Sequence, residues 1–263
     1  MTDEMGLTLE TAREYEQFFV PAIFSQWPAV VIDVAEIKEG EAVLEVGCGT
    51  GVFTREAIIR VGVSGSVTGL DLSESMLTVA RETSPGVQFY QGSVIDLPFD
   101  DASFDVVTSS FMLMFVPDPE KALSEMLRVL RPGGRLAICV WEALTESPVY
   151  SGLVTFATNR IDSTAGESLG WPFALGEEEK LRAIFRAAGA PSVKLSHQSG
   201  RAQFPSVEDF VRTEIEAWLL ADSVKDAQID AIIEDTRAEF ALYCDDAGGI
   251  DFPMNAIFAV VKI

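Results

Sequence analysis

An α/β fold, a mostly parallel sheet with helices on both faces, is predicted for this chain of 263 residues. Three observations predict it. Short apolar and β-branched runs at Ala42–Val46, Val67–Leu70, Val87–Gln91, Phe104–Ser109 and Arg135–Trp141 read as buried strands. Helical periodicity separates them at Phe53–Arg60, Ser73–Glu82 and Pro119–Leu130, and such alternation gives parallel strands joined by right-handed crossovers. The first strand then runs directly into V-L-E-V-G-C-G-T-G, Val43 to Gly51. There, three glycines at alternate positions force a tight turn and bring bare backbone to a ligand at the mouth of the next helix.

Taken in order, the chain opens with helical patterns at Thr8–Val20 and Ala29–Ile37. The helix at Ser73 has a good N-cap in that serine, and Glu74 suits the positive end of its dipole. Arg131-Pro132-Gly133-Gly134 stops the helix before the fifth strand and is read as structural. After Trp141 about 35 residues precede a helix at Gly176–Ala188. A sixth strand is placed at roughly Ser192–Phe204 and the last at Asn255–Lys262, with two helices in Ser206–Tyr243 between them.

The ligand is narrowed by spacing. Asp71 ends the second strand 20 residues after Gly51, where a carboxylate can grip ribose hydroxyls. Gly47, Gly49 and Gly51 fit G-x-G-x-G, whereas a dinucleotide loop needs glycine where this chain has Val52. No lysine follows the loop, so it is not a Walker-type phosphate cradle.

Five motifs in sequence resemble class I S-adenosylmethionine-dependent methyltransferases, especially the group containing the ubiquinone and menaquinone C-methyltransferases. They are V-L-E-V-G-C-G-T-G, V-T-G-L-D-L-S-E-S-M-L from Val67, Q-G-S-V-I-D-L-P-F from Gln91, F-D-V-V-T-S-S-F-M-L from Phe104 and L-R-V-L-R-P-G-G-R-L from Leu127. The stretch Tyr15–Trp27 and F-P-S-V-E-D-F at Phe204 are similar to pieces of bacterial members. The resemblance implies a Rossmann-like sheet of seven strands, the last antiparallel, with a helical cap, and S-adenosyl-L-methionine as cofactor. On this reading residues 1–40 supply N-terminal helices of the cap, 41–141 the cofactor-binding core, and 142–263 the remainder of the same domain. Cap insertions fall at about 142–175 and 205–252, since long insertions in a compact domain serve as lids or binding loops. Their alternative use is an oligomerisation surface, a homodimer being the simplest case.

Roles follow residue by residue. Gly47, Gly49 and Gly51 let amides approach the methionine moiety and ribose; Thr50 contributes a hydroxyl or shapes the turn, and Cys48 is the small residue the loop tolerates. Glu45 faces the ammonium, directly or through water, and Asp71 holds the ribose. Leu72 and Met76 flank the adenine, core packing being the other explanation for Met76. Ser93 stands where many relatives carry Asp or Asn, so its contact with the adenine amine is water-mediated or lost. The Val94 amide can still meet a ring nitrogen, and Asp96 is read as part of a turn. Ser110 matches a position near the methionine end, and Tyr15 is the cleft candidate from the N-terminal helix.

No catalytic residue is assigned. The sulfonium is already activated, so alignment and water exclusion accelerate transfer. His197, the only histidine, is read as an edge residue, and Met114 and Phe115 stand where many relatives have histidine. Trp141, Trp171, Phe111, Phe115 and Trp218 either line an aromatic acceptor pocket or simply fill the core.

Composition bounds the partners. Against 41 acidic residues stand 19 basic ones, a formal net charge of −22, which repels phosphate backbones and anionic membranes. No nucleic acid and no membrane are expected as partners, and a small-molecule substrate is. No apolar run reaches the roughly 18 residues of a membrane span, M-T-D-E-M is unlike a secretion signal, and Cys48, Cys139 and Cys244 are too scattered for a disulfide framework or a zinc site. A cytoplasmic enzyme without a metal is expected, transferring methyl to a small apolar or aromatic molecule. Two alternatives stay open: a protein that binds S-adenosylmethionine without methylating, and an NAD-dependent oxidoreductase.

Overall fold

The structure, a computed structural model, describes residues 7–218 and 224–263, the side chains of 216–218 excepted. In chain order its strands are β1 Ala42–Val46, β2 Ser66–Asp71, β3 Gln88–Gln91, β4 Phe104–Ser110, β5 Leu130–Trp141, β6 Lys194–Gln198, β7 Arg201–Phe204, β8 Ile250–Pro253 and β9 Ala256–Lys262. The helices are α1 Leu9–Glu14, continued by a π-type segment Tyr15–Phe24, α2 Trp27–Val34, α3 Thr54–Val61, α4 Glu74–Thr83 and α5 Pro119–Arg128. They are followed by α6 Pro148–Arg160, α7 Ser163–Gly170, α8 Glu178–Ala187, α9 Val207–Trp218 and α10 Asp226–Glu239.

Seven strands form one sheet in the order β3-β2-β1-β4-β5-β9-β6. The ladders among the first five are parallel, with Val43 opposite both Val67 and Val106. β9 runs against β5. Ile263 N–H donates to Gly134 O and Gly133 N–H to Ile263 O at 3.0 Å, while farther along Glu142 N–H reaches Asn255 O at 3.1 Å. The chain reverses direction across the sheet between β1 and β4, so the crevice beyond the carboxyl ends of β1, β2 and β4 is the natural ligand position.

Sequence chemistry explains the elements. Val43, Leu44 and Val46 of β1 are fully buried, as a strand covered on both faces requires. Ser73 Oγ accepts the Met76 N–H at 3.1 Å and Asp118 Oδ1 accepts that of Lys121 at 2.9 Å, capping α4 and α5. The first predicted helix changes character: Pro21 has no N–H to give, and Ser25 N–H reaches back to Val20 O at 2.8 Å, a wider turn than an α-helix makes.

One strand needs correction. Ser192–Phe204 is two strands: β6 ends at Gln198 and joins the large sheet, whereas β7 pairs antiparallel with β8 in a separate two-stranded sheet. Ser199-Gly200 breaks the run, and Gly200 O accepts the Met254 N–H at 2.9 Å instead of continuing either ladder.

The chain groups into two compact units, Met1–Val140 with Glu178–Gln198 and Ile257–Ile263, and Trp141–Glu177 with Ser199–Ala256. The N-terminal helices group with the sheet. Arg13 pairs with Glu82 of α4 at 3.2 Å, Arg55 of α3 with Glu16 at 2.9 Å, and Ser75 Oγ donates to Leu7 O at 3.3 Å. The second unit contains both insertions. Its interior is aromatic, Tyr150 meeting Phe173, Phe210 and Phe252 at ring separations of 5.1, 5.6 and 5.7 Å, and the Tyr150 hydroxyl donates to Glu214 Oε1 at 2.6 Å.

In the first unit, Arg128 and Glu125 brace the segment after β3. Arg128 donates to Phe99 O, Leu97 O and Asp101 Oδ1, and Glu125 Oε2 accepts the Leu97 N–H at 3.0 Å. The Arg128 guanidinium lowers the Glu125 carboxyl to about 2 from 4.5. Because the folded value lies below the unfolded one, the stabilisation is complete above about 4.5 and disappears as pH falls through about 2. Glu125→Gln is expected to lose roughly 2–3 kcal/mol at pH 7, a gap that closes on acidification when urea unfolding of the two proteins is compared.

Among the described residues no single helix is long and apolar enough to cross a membrane. Leu9–Phe24 and Trp27–Val34 together pass by length and composition, bent by 63°, but Phe19, Val20, Ile23 and Trp27 are buried within the fold.

Candidate functional site

The glycine turn closes over the end of β2. Gly47 and Cys48 N–H donate to Leu70 O at 2.7 and 3.0 Å, and Gly51 N–H donates to Cys48 O at 2.9 Å. Gly47, Gly49 and Gly51 have φ of 72°, 53° and 86°, in the left-handed region that favours glycine. Their bare Cα atoms serve different ends. A Cβ on Gly49 would meet nothing within 4 Å, so the turn faces open space there. A Cβ on Gly51 would lie 2.6 Å from Ser84 Oγ and 3.1 Å from Thr54 Oγ1, so this glycine lets α3 and the end of α4 pack beneath the loop. On Gly47 it would fall 2.3 Å from Met112 Cγ and 2.7 Å from Met112 Cβ, which no rotation about the far end of that side chain relieves. Gly47→Ala is therefore expected to lower the melting temperature and weaken ligand binding. Gly47→Ala/Met112→Ala should recover the steric part but not the roughly 1–2 kcal/mol owed to positive φ.

Asp71 ties the elements together. Its Oδ2 accepts the Gly49 N–H at 2.8 Å, its Oδ1 accepts the Ser73 N–H at 2.9 Å, and its backbone O accepts the Gly92 N–H at 3.0 Å. One residue thus fixes the tip of the glycine turn, the start of α4 and the approach to Ser93. Leu72 and Met76 are half-buried beside it, with Gln91 Nε2 donating to Leu72 O at 3.1 Å. Asp96 N–H donates to Ser93 O at 3.2 Å, so Ser93, Val94 and Asp96 share one turn, and Asp96 is exposed.

Acidic groups converge from other elements. Glu45 on β1 is 2% exposed, and its Oε2 has no hydrogen-bond partner; nor do the buried Oγ of Ser110 at the end of β4 and Oγ1 of Thr50 in the turn. Burial and then the Asp71 charge push the Glu45 carboxyl well above its usual range, an effect the nearby Ser110 hydroxyl partly offsets. The Cys48 thiol is raised by the same burial and by Asp71 and Glu45. The Tyr15 phenol is raised by burial and by the charges of Asp71, Glu16 and Glu45, so it stays protonated. The structure therefore brings Tyr15, Glu45, Cys48, Asp71 and Ser110 to one place from four elements and the turn.

Beyond Ser110 the chain turns sharply. Phe111 has φ of 56°, an outlier for a bulky residue, and its N–H donates to Cys139 O at 2.8 Å. The Phe111 ring lies 5.6 Å from both Phe24 and Trp27, and Phe24 lies 5.5 Å from Tyr15. This strip, Tyr15–Phe24–Phe111–Trp27, contains two rings that the sequence reading did not single out, although both fall in the stretch Tyr15–Trp27. Of the other expected aromatics, Phe115 is half-buried in the turn Leu113–Phe115, Trp141 is buried and groups with the second unit, Trp171 is 55% exposed, and the Trp218 side chain lies outside the described residues. His197 is on the edge strand β6, its Nε2 2.8 Å from Glu178 Oε1.

A family model described as a methyltransferase domain matches residues 44–138. The demethylmenaquinone methyltransferase of Staphylococcus carnosus is 36% identical over 188 residues, 66% of this chain and 78% of that protein. The enzyme of the same name from Shouchella clausii is 35% identical over 190 residues, covering 66% and 80%. The chain belongs to the class I S-adenosylmethionine-dependent methyltransferases. Solved structures share the fold of this methyltransferase. Phosphoethanolamine N-methyltransferase 2 of Haemonchus contortus, in complex with S-adenosylhomocysteine, has a TM-score of 0.60 at 19% identity over 97% of this chain and 57% of that one. A methyltransferase dependent on S-adenosylmethionine from Aquifex aeolicus has a TM-score of 0.50 at 20% identity over 74% and 93%.

Its cofactor is S-adenosylmethionine, and the residues fit that group. Open space lies above Gly49, buried oxygens of Glu45, Ser110 and Thr50 await donors, and Asp71 presents a carboxylate at the end of β2. Family membership as a methyltransferase settles both alternatives, the binder without activity and the oxidoreductase.

Proposed function

We propose that this methyltransferase modifies a small apolar or aromatic acceptor, of the demethylated quinone type that its relatives' names describe, mainly by proximity and orientation. The observation that carries this reading is the aromatic strip Tyr15–Phe24–Phe111–Trp27 beside Ser110, a flat apolar surface suited to a conjugated ring. When bound, S-adenosylmethionine supplies a methyl group already activated for displacement. The chain's own residues hold it. Asp71 takes the ribose hydroxyls, the bare backbone of Gly47, Cys48, Gly49, Thr50 and Gly51 lines the methionine end, and Glu45 with Ser110 receives the ammonium. Leu72 and Met76 enclose the adenine, the Val94 amide meets a ring nitrogen, and Ser93 reaches the amine through water. Tyr15 closes the site from the N-terminal segment.

Burial holds the Tyr15 phenol and the Cys48 thiol in their protonated forms, and Glu45 is engaged with the ammonium, so none of the three is free to take a proton from the acceptor. That favours an acceptor whose nucleophile needs little help, such as the electron-rich carbon of a quinol. Three free cysteines suit a reducing, cytoplasmic setting. The test is a panel of acceptors, a demethylated naphthoquinol, a catechol, an aliphatic amine and a thiol, each incubated with the protein and S-adenosylmethionine. Methylated naphthoquinol should accumulate in step with S-adenosylhomocysteine. Turnover of the amine or thiol alone would overturn the assignment.

A further inference from the structure

Met112 carries none of the roles assigned so far, yet its side chain covers the first glycine of the turn. The position that a Cβ on Gly47 would take lies 2.3 Å from Met112 Cγ, 2.7 Å from its Cβ and 3.2 Å from its Cε. From Cβ to Cε, the thioether chain is therefore laid along Gly47. Met112 is half-buried, which leaves part of its surface accessible.

The backbone holds Met112 from both sides. Phe111 N–H donates to Cys139 O at 2.8 Å, and Phe115 N–H donates to Met112 O at 2.9 Å. Between these bonds the φ of 56° at Phe111 sends successive side chains to different neighbours. The Phe111 ring meets Phe24 and Trp27 at 5.6 Å, and the Met112 thioether meets Gly47. Such strain persists only where the surroundings hold it. One step along the chain thus joins the aromatic strip to the glycine turn. In the transfer, the acceptor's nucleophile forms a bond to the methyl carbon as the carbon–sulfur bond breaks. The electron pair of that bond passes to sulfur, and the acceptor's proton goes to solvent. The migrating carbon passes from the turn to the strip, and Met112 is the residue that connects them.

We propose that Met112 is a specificity-determining residue: its side chain fills the space over Gly47 beside the sulfonium, admits a methyl group there and refuses a longer alkyl group. This rests on the placement of the cofactor at the glycine turn and of the acceptor at the strip proposed above. Methionine is adaptable, but swinging its far end does not clear the space, because Cβ and Cγ lie closer to Gly47 than Cε does.

Calorimetry on the full chain tests it with S-adenosylmethionine, S-adenosylhomocysteine and S-adenosylethionine, which carries ethyl on sulfur. A fitted apolar site discriminates one added methylene by about tenfold or more, so the wild type should bind S-adenosylethionine at least about tenfold more weakly than S-adenosylmethionine. Met112→Ala removes Cγ, Sδ and Cε and should bring the two affinities within about threefold. Met112→Leu, of similar volume, should keep the discrimination. A change that merely loosens the turn weakens all three ligands alike and leaves their ratios unchanged. Unchanged ratios in Met112→Ala overturn the proposal, as does a wild type that binds both alkyl donors equally. Should Met112→Ala fail to fold, Met112→Val shortens the chain less and should narrow the ratio by a smaller factor; no narrowing counts against the proposal equally. Asp71→Ala tells the two failures apart. Affinity for S-adenosylmethionine equal to that of the wild type removes the cofactor placement, whereas weakened binding with an unchanged Met112 ratio removes only the role of Met112.

Discussion

Asp71→Ala is expected to weaken S-adenosylmethionine binding by at least about tenfold, with little change in unfolding free energy beyond about 2 kcal/mol. The carboxylate holds two backbone N–H groups, those of Gly49 and Ser73, at 2.8 and 2.9 Å. Bonds to a charged acceptor are worth more than neutral ones, and the Gly49 bond fixes the glycine of the turn that faces open space. Without it the turn loses its preorganised shape and the ribose loses its acceptor, two losses that both fall on binding. Asp71→Asn retains one oxygen and should lose less, because the Gly49 N–H can keep its partner while only one ribose hydroxyl is released. Calorimetry separates the cases. Equal affinity in the wild type and Asp71→Ala would remove Asp71 from the site.

How far the sequence reveals this site depends on the range over which each feature is determined. The bounds of β1, Ala42–Val46, are read correctly because a run of buried apolar residues that ends in glycine is a local signal. Ser73 as a cap is local for the same reason. Asp71 is legible because its distance from the glycine turn is fixed by one intervening helix. The rest is tertiary. The left-handed backbone of Phe111 has no signature in its own residue type, and the meeting of Phe111 with Phe24 and Trp27 brings together separate parts of the chain. The role of Gly51 in packing becomes visible only once Ser84 is seen below it. The division of Ser192–Phe204 turns on β8, a four-residue strand that alternation alone does not distinguish from a loop.

The largest loss of stability is expected at Arg135. This residue on β5 is 8% exposed, and its guanidinium donates to Ala35 O at 2.7 Å, Glu36 O at 3.0 Å and Glu41 Oε2 at 2.7 Å. It thereby satisfies carbonyls beyond the C-terminal end of α2, where a cation also suits the helix dipole, and it braces Glu36 at φ of 52°. Arg135→Met leaves two carbonyls without their donor and the Glu41 carboxylate with only the Lys38 N–H, 2.8 Å from Oε2. Breaking a buried pair from one side costs about 3–5 kcal/mol, mostly the penalty of the charge left behind. Arg135→Lys should recover only part of this, since one ammonium cannot span the three acceptors that the planar fork reaches. Urea unfolding at pH 7 measures the loss. The decisive comparison is Arg135→Met/Glu41→Leu: with the stranded carboxylate gone, the double variant should be more stable than Arg135→Met alone. If it is less stable, the bond from the Lys38 N–H to Glu41 outweighs the stranded charge, and the cost of Arg135→Met lies in the carbonyls of Ala35 and Glu36.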